Sequence, residues 1–209
     1  GTCHKTDAET AELSKLAENS FRDVNIAFAN ELSMVCDENN VNVWRLIEIA
    51  NKHPRVNILE PGPGVGGHCI AVDPWFIVAN SDKAKLIKQS REVNLGKTKY
   101  VFEKITKEID HLVSTKDINA KDISVAFFGI AFKADIDDLR ESPAIEIVKQ
   151  TIKKLKCKIL IVEPNVDELP VEIKDNANLV SIKEAIINSD IVVSLVNHRE
   201  FLNISVSDL

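Results

Sequence analysis

Between Ala8 and Glu38 the chain has neither glycine nor proline, and Leu13, Leu16, Phe21, Val24, Phe28, Leu32 and Val35 recur three to five residues apart. That spacing is the helical period, and nothing in the stretch interrupts it, so it predicts a single amphipathic helix of about thirty residues. Ala27, Ala29 and Asn30 offer places for close packing on that helix. A helix this long needs an equally long partner to bury a face against. Residues 83–113 also read as helical, where only Gly96 threatens continuity, and a shorter helix over Val43–Asn51 stops ahead of Pro54.

From about Asp122 the pattern changes. Ile123–Ile130, Lys158–Val162 and Ile191–Val196 are short apolar runs of the kind that form strands buried on both faces. Between them Ser142-Pro143 combines an N-cap with proline at the first helical position and opens a helix to about Lys156, and a shorter helix covers Ile182–Asn188. The order β-α-β-α-β predicts a parallel sheet with helices on its faces. The fold class is therefore α/β, with a helical domain over residues 1–114 followed by a small Rossmann-like parallel-sheet domain over residues 115–209.

The chemistry concentrates in Pro61-Gly62-Pro63-Gly64-Val65-Gly66-Gly67-His68-Cys69-Ile70-Ala71-Val72-Asp73-Pro74. Glycines let backbone amides approach a ligand, and Cys69 with Asp73 four residues on reads as a nucleophile on a binding loop. Gly62, Gly64 and Gly67 fit G-x-G-x-x-G, but a dinucleotide turn needs a strand before it, a helix after it and an acid about 20 residues further on. Pro61, Pro74 and the Lys88–Ser90 segment meet none of these requirements.

Three other groups bear polar side chains at suggestive positions. Lys15, Asn19 and Arg22 share one face of the first helix, either as its solvated stripe or as a pair that polarises a hydroxyl or carbonyl. Lys133 and Arg140 lie in Phe132–Pro143, at the carboxyl end of the first strand where open α/β sheets bind ligands. They can hold a phosphate or simply balance Asp135, Asp137, Asp138 and Glu141. His53 and Arg55 precede the glycine loop, and Arg55 is a surface arginine or a diphosphate clamp.

Net charge is −6 with acids spread along the chain, which excludes a nucleic-acid backbone as an expected partner. The longest apolar run is too short to cross a bilayer and no signal peptide opens the chain, so a cytoplasmic protein is expected. Cys3, Cys36, Cys69 and Cys157 lack any C-x-x-C spacing, which argues against a metal site and a disulfide framework. With Met34 the single methionine and an abrupt end at Leu209, the chain reads as a piece of something longer.

The Asn19–Ala27 segment, His53-Pro54-Arg55-Val56-Asn57, the glycine-loop cysteine and Phe132–Pro143, in this order, resemble the UDP-glucose/GDP-mannose dehydrogenase family. The resemblance implies oxidation of a nucleotide sugar at C6 to a carboxylate by NAD. It also implies a helical central domain that forms a homodimer, a C-terminal domain that binds the UDP-sugar, and an N-terminal NAD domain that this chain lacks. Cys69 would form a thioester, Lys15 and Asn19 would handle the proton and oxyanion, and Asp73 would help water hydrolyse the thioester. Lys15, Asn19, Arg22, His53, Arg55, Gly66, Phe132 and Lys133 would contact substrate, and Arg140 would reach NAD. His68 and Val72 stand where a serine and a lysine are usual in UDP-glucose members. The variant is most like members acting on UDP-N-acetyl-D-mannosamine, and UDP-N-acetylglucosamine members share much of it, so a UDP-N-acetylhexosamine is the expected substrate. Alone, the chain is expected to be inactive, leaving a non-catalytic dimerisation and sugar-binding module as the rival reading. A hydroxyacid dehydrogenase also carries a Lys/Asn pair on a helix, but has no use for a thioester cysteine.

Overall fold

The computed structural model describes residues 2–205, which divide into two compact units. The first comprises residues up to Pro61 together with Gly67–Gly96, and the second comprises Gly62–Gly66 together with the chain from Lys97 onward. The division falls inside a helix rather than at the 114/115 boundary expected from the composition change.

In the first unit α1 (Ala8–Glu38) is capped by Asp7, whose carboxylate accepts the Thr10 N–H at 2.7 Å. It is followed by α2 (Val43–Ala50), α3 (Asp73–Asn80) and the start of α4 (Lys85–Lys116). The helix expected over residues 83–113 is α4, which runs through Gly96 without a break. The α1 residues that are buried are nevertheless small or polar: Asn19, Ser20, Asp23, Ala27, Ala29, Asn30, Ser33 and Cys36. Four of its large apolar residues face outward, with Leu13, Phe21, Phe28 and Val35 all about half exposed or more, while Leu16, Val24, Ile26, Leu32 and Met34 are partly buried.

A polar seam accounts for that inversion. Arg91 Nη1 of α4 donates to Asp23 Oδ1 at 2.6 Å, and Asn94 Nδ2 donates to the same oxygen at 2.8 Å and to the Asp23 carbonyl at 3.1 Å. Asn30 Nδ2 then donates to Asn94 Oδ1 at 2.9 Å. All four side chains are buried, and this pairing replaces much of the hydration they have lost, though Asp23 Oδ2 and Arg91 Nε remain without a hydrogen-bond partner. Burial pushes the Asp23 carboxyl up, while Arg91 and Asn94 pull it back.

The second unit is a four-stranded parallel sheet of β1 (Ser124–Phe128), β2 (Lys158–Val162), β3 (Ala177–Leu179) and β4 (Ile191–Ser194), in the order β3-β2-β1-β4. Val125 lies opposite Ile159 and Ile191. Alternate β1 residues serve two apolar layers, Val125 and Phe127 packing with Ile147 and Val148 of α5 (Pro143–Leu155), Ala126 and Phe128 with Ala185 of α6 (Ile182–Asn188) and Phe201. Ser142 and Pro143 open α5 as expected, and a Ser181/Glu184 capping box opens α6. β3 was not foreseen, because three residues carry too little pattern to register as a strand. Nor was α3, in which Pro74 occupies the first turn, where proline's missing N–H has no intrahelical role, instead of interrupting the chain.

Candidate active site

In the first unit the glycine loop ends in a turn that is also the start of α3. The Val72 and Asp73 N–H groups both donate to the Cys69 carbonyl, at 3.1 and 2.8 Å, which places Asp73 one helical turn beyond Cys69. Asp73 Oδ2 accepts a hydrogen bond of 2.5 Å from Asn19 Nδ2, and Asn19 is buried. Lys15 and Arg22 lie one turn to either side of Asn19 on α1, both exposed. The structure thus ties Asn19 to Asp73 and keeps Cys69 exposed, whereas Cys36 is buried and burial pushes the Cys157 thiol up. His53 and Arg55 occupy the exposed turn after α2, where the Arg55 N–H donates to His53 Nδ1 at 3.3 Å. No hydrogen bond or ion pair joins their side chains to Asn19 or Asp73 among the described residues.

In the second unit Gly66 packs against the segment that leads from β1 to α5. A side chain at position 66 would run into the Glu141 carbonyl, Pro143 Cδ at 2.8 Å and Phe132 Cβ at 3.0 Å, so glycine alone permits this approach. Gly66 and Phe132, both among the substrate contacts implied by the resemblance, are therefore neighbours. Lys133 is exposed beside Phe132. Arg140 is bound in a fork by its near neighbour Asp138, Nε to Oδ1 at 2.8 Å and Nη2 to Oδ2 at 2.6 Å, and this contact holds its guanidinium even more firmly protonated.

A buried pair absent from the sequence reading sits behind Phe132 and Lys133. Glu163, the first residue after β2, and His198, beyond β4, are joined through His198 Nε2 and Glu163 Oε2 at 3.1 Å, both inaccessible to solvent or nearly so. Burial pushes the Glu163 carboxyl up, but hydrogen bonds from His198, Ile130 and Ala131 outweigh it and hold the group below the usual carboxylate range. The one available signal was positional, since each residue follows the carboxyl end of a parallel strand. Asp135, His198 and Glu200 present ligand atoms within 4.8 Å of one another, but both His198 ring nitrogens are already engaged by protein groups, which leaves no lone pair for a cation.

Residues 9–95 match the central domain of the UDP-glucose/GDP-mannose dehydrogenase family, and residues 126–209 match that family's UDP binding domain. The chain is 53% identical over 207 residues to a UDP-N-acetyl-D-mannosamine dehydrogenase of Campylobacter jejuni, covering 98% of this chain and 49% of that protein. It is 54% identical over 202 residues to an NDP-N-acetyl-D-galactosaminuronic acid dehydrogenase of Ralstonia solanacearum, covering 96% and 46%. The solved UDP-N-acetyl-mannosamine dehydrogenase of S. aureus superposes with a TM-score of 0.78 at 44% identity, over 97% of this chain and 45% of that one. The chain spans about half the length of these relatives. With Cys69, Asp73 and Asn19 in its central part and a parallel-sheet unit after it, the chain belongs to the UDP-glucose/GDP-mannose dehydrogenase family.

Proposed function

We propose that this chain is the catalytic and sugar-binding portion of an NAD-dependent UDP-N-acetylhexosamine 6-dehydrogenase, with UDP-N-acetyl-D-mannosamine as substrate. The observation that carries the reading is the Asn19–Asp73 hydrogen bond, which fixes a carboxylate one turn from an exposed cysteine and beside the Lys15 face of α1. Lys15 and Asn19 take up the proton and charge of the C6 oxygen. Cys69 adds to the C6 aldehyde to give a thiohemiacetal, whose oxidation leaves a thioester, and Asp73 assists the water that releases the carboxylate. Arg22, His53, Arg55, Gly66, Phe132 and Lys133 contact the UDP-sugar.

NAD takes the two hydrides when bound. Of the described residues, Arg140 is the candidate contact to it, and Asp138 already orients its fork. The Gly62–Gly67 loop does not fit a dinucleotide, because Gly64 and Gly66 are packed against Thr98, Pro143 and Phe132 and no strand precedes them among the described residues. On this reading the chain by itself forms no NADH. In the full-length protein, Cys69→Ser should lower carboxylate formation by about a thousandfold or more with UDP-sugar binding retained. A wild-type rate in that variant would rule out the thioester. UDP-N-acetylglucosamine and UDP-N-acetylgalactosamine assayed beside the mannosamine substrate test the epimer, because relatives named for different sugars are equally similar to this chain.

A homodimer belongs to the same reading. Phe21, Phe28 and Val35 recur every seventh residue on α1, are 71%, 55% and 48% exposed, and lie on the side away from Lys15 and Asn19. A second copy of this chain is the proposed cover for that stripe.

A further inference from the structure

The loop after β1 must present Phe132 and Lys133 from a segment without regular structure, and the Glu163–His198 pair is bound to both ends of it. At the near end, Glu163 Oε2 accepts the Ile130 and Ala131 N–H groups at 2.8 and 3.0 Å as well as His198 Nε2–H. Its other oxygen accepts the Asn165 N–H at 3.2 Å and Asn165 Nδ2–H at 3.3 Å. At the far end the Asp135 N–H donates to His198 Nδ1 at 3.0 Å. A backbone N–H can only donate, so Nδ1 is the acceptor and the ring proton resides on Nε2, facing the carboxylate.

Asp135 completes the far anchor. Its φ of 61° is a left-handed conformation that a non-glycine residue adopts only when held there. The Arg199 N–H donates to Asp135 Oδ1 at 3.0 Å, and Arg199 Nη2 lies 3.1 Å from Asp135 Oδ2. Strands β1, β2 and β4 thus send their C-terminal loops into one buried polar knot, leaving only residues 132–134 between the fixed points.

We propose that Glu163 and His198 are positioning residues for the UDP-sugar: the buried carboxylate–imidazole pair brackets residues 130–135, so that Phe132 and Lys133 are held ready for the nucleotide diphosphate. The inference rests on the reading above that these two residues contact substrate. A bracketed loop meets its ligand without first losing conformational freedom, so the pair acts on affinity while touching no ligand atom.

The test is calorimetric titration of this chain with UDP, combined with amide hydrogen exchange over residues 130–135. In the wild-type chain the Ile130, Ala131 and Asp135 amides should be protected; exchange as fast as that of an open loop overturns the bracket. His198→Asn can keep an acceptor where Nδ1 stands, and should bind UDP within about twofold of wild type. His198→Gln, which can keep the donor toward Glu163 but loses the Asp135 anchor, and Glu163→Gln should each bind about tenfold more weakly with faster exchange in the loop. A purely structural role would weaken the two histidine variants alike, and that result overturns the proposal. Should the core variants not fold, Asp135→Gly, exposed and compatible with positive φ, frees the far anchor and should weaken UDP about threefold. Unchanged affinity there also overturns it. Lys133→Ala is the separate control: UDP binding at wild-type strength in that variant, or none by the wild-type chain, counts against the substrate reading, and the exchange data then judge the bracket alone.

Discussion

The two units solve the problem of an interior in opposite ways. The sheet unit buries Val125, Phe127, Ile147 and Ile161 and confines its polar knot to the end where ligands are expected. The helical unit joins its two long helices through Asp23, Arg91, Asn94 and Asn30, and leaves phenylalanines on the outside. Apolar burial is non-directional and tolerates small shifts, whereas a hydrogen-bonded ion pair works only at one register of the two helices. The first unit therefore obtains a fixed register from its polar seam and leaves part of its apolar area exposed.

The sharpest way to break this contrast is Arg91→Met, which leaves Asp23 buried and uncompensated and should cost about 3–5 kcal/mol in chemical denaturation. Asp23→Leu combined with Arg91→Met should recover most of that loss, because an apolar pair needs no mutual pairing. A single substitution that costs nothing would show that the seam is not what joins α1 to α4.

Acid sharpens the same comparison with a smaller effect. In the sheet unit Glu163, Asp190 and Asp135 have carboxyls held below their usual range, Asp190 by the Ser124 N–H and Asp135 by the Arg199 N–H. A lowered pKa contributes stability that is complete above the unfolded value and is lost as pH falls through the folded one. For Glu163 that loss lies below its ordinary 4.5. Asp23 has the opposite sign, since its carboxyl is raised by burial and protonation favours the folded form. Limited pepsin digestion below about pH 4.5 should thus cut the sheet unit first, the exposed Asp7 cap of α1 aside. Earlier cleavage within α1 would contradict the assignment.

The smallest effect on the fold is expected from Phe28→Ser, within about 0.5 kcal/mol of wild-type stability because the ring is already exposed. Sedimentation should nevertheless show that variant to be more monomeric than wild type, and undiminished self-association would detach the stripe from the dimer.

Much of this could be read from local pattern. α1, β2 and α6 carry clean periodicity between clear caps and lie where expected, whereas Gly66 and Phe132 were named through the family resemblance and not by any local pattern. A homodimer was expected of the helical domain, but periodicity reveals only that α1 has an apolar stripe and not what the stripe meets. Asp23 and Arg91 are 68 residues apart, and no local signal marks two ordinary charges as partners. Glu163 and His198 were hidden in the same way: the ends of three strands make them neighbours, and that needs the sheet order β3-β2-β1-β4.

Residues 62–66 leave the helical unit, pack in the sheet unit and return, with Thr98 Oγ1 donating to the Pro63 carbonyl at 2.9 Å and Gly66 lodged against Pro143. The two units are therefore interleaved along the gene, not strung end to end. A recombination crossover after residue 66 or after residue 96 would separate five residues from the surface they pack against, and the first of these points lies within a few codons of Cys69. Lineages of such a protein should inherit the two units as one block, and exchanging one of them with a distant relative should require the glycine segment to travel with the sheet and not with the helices.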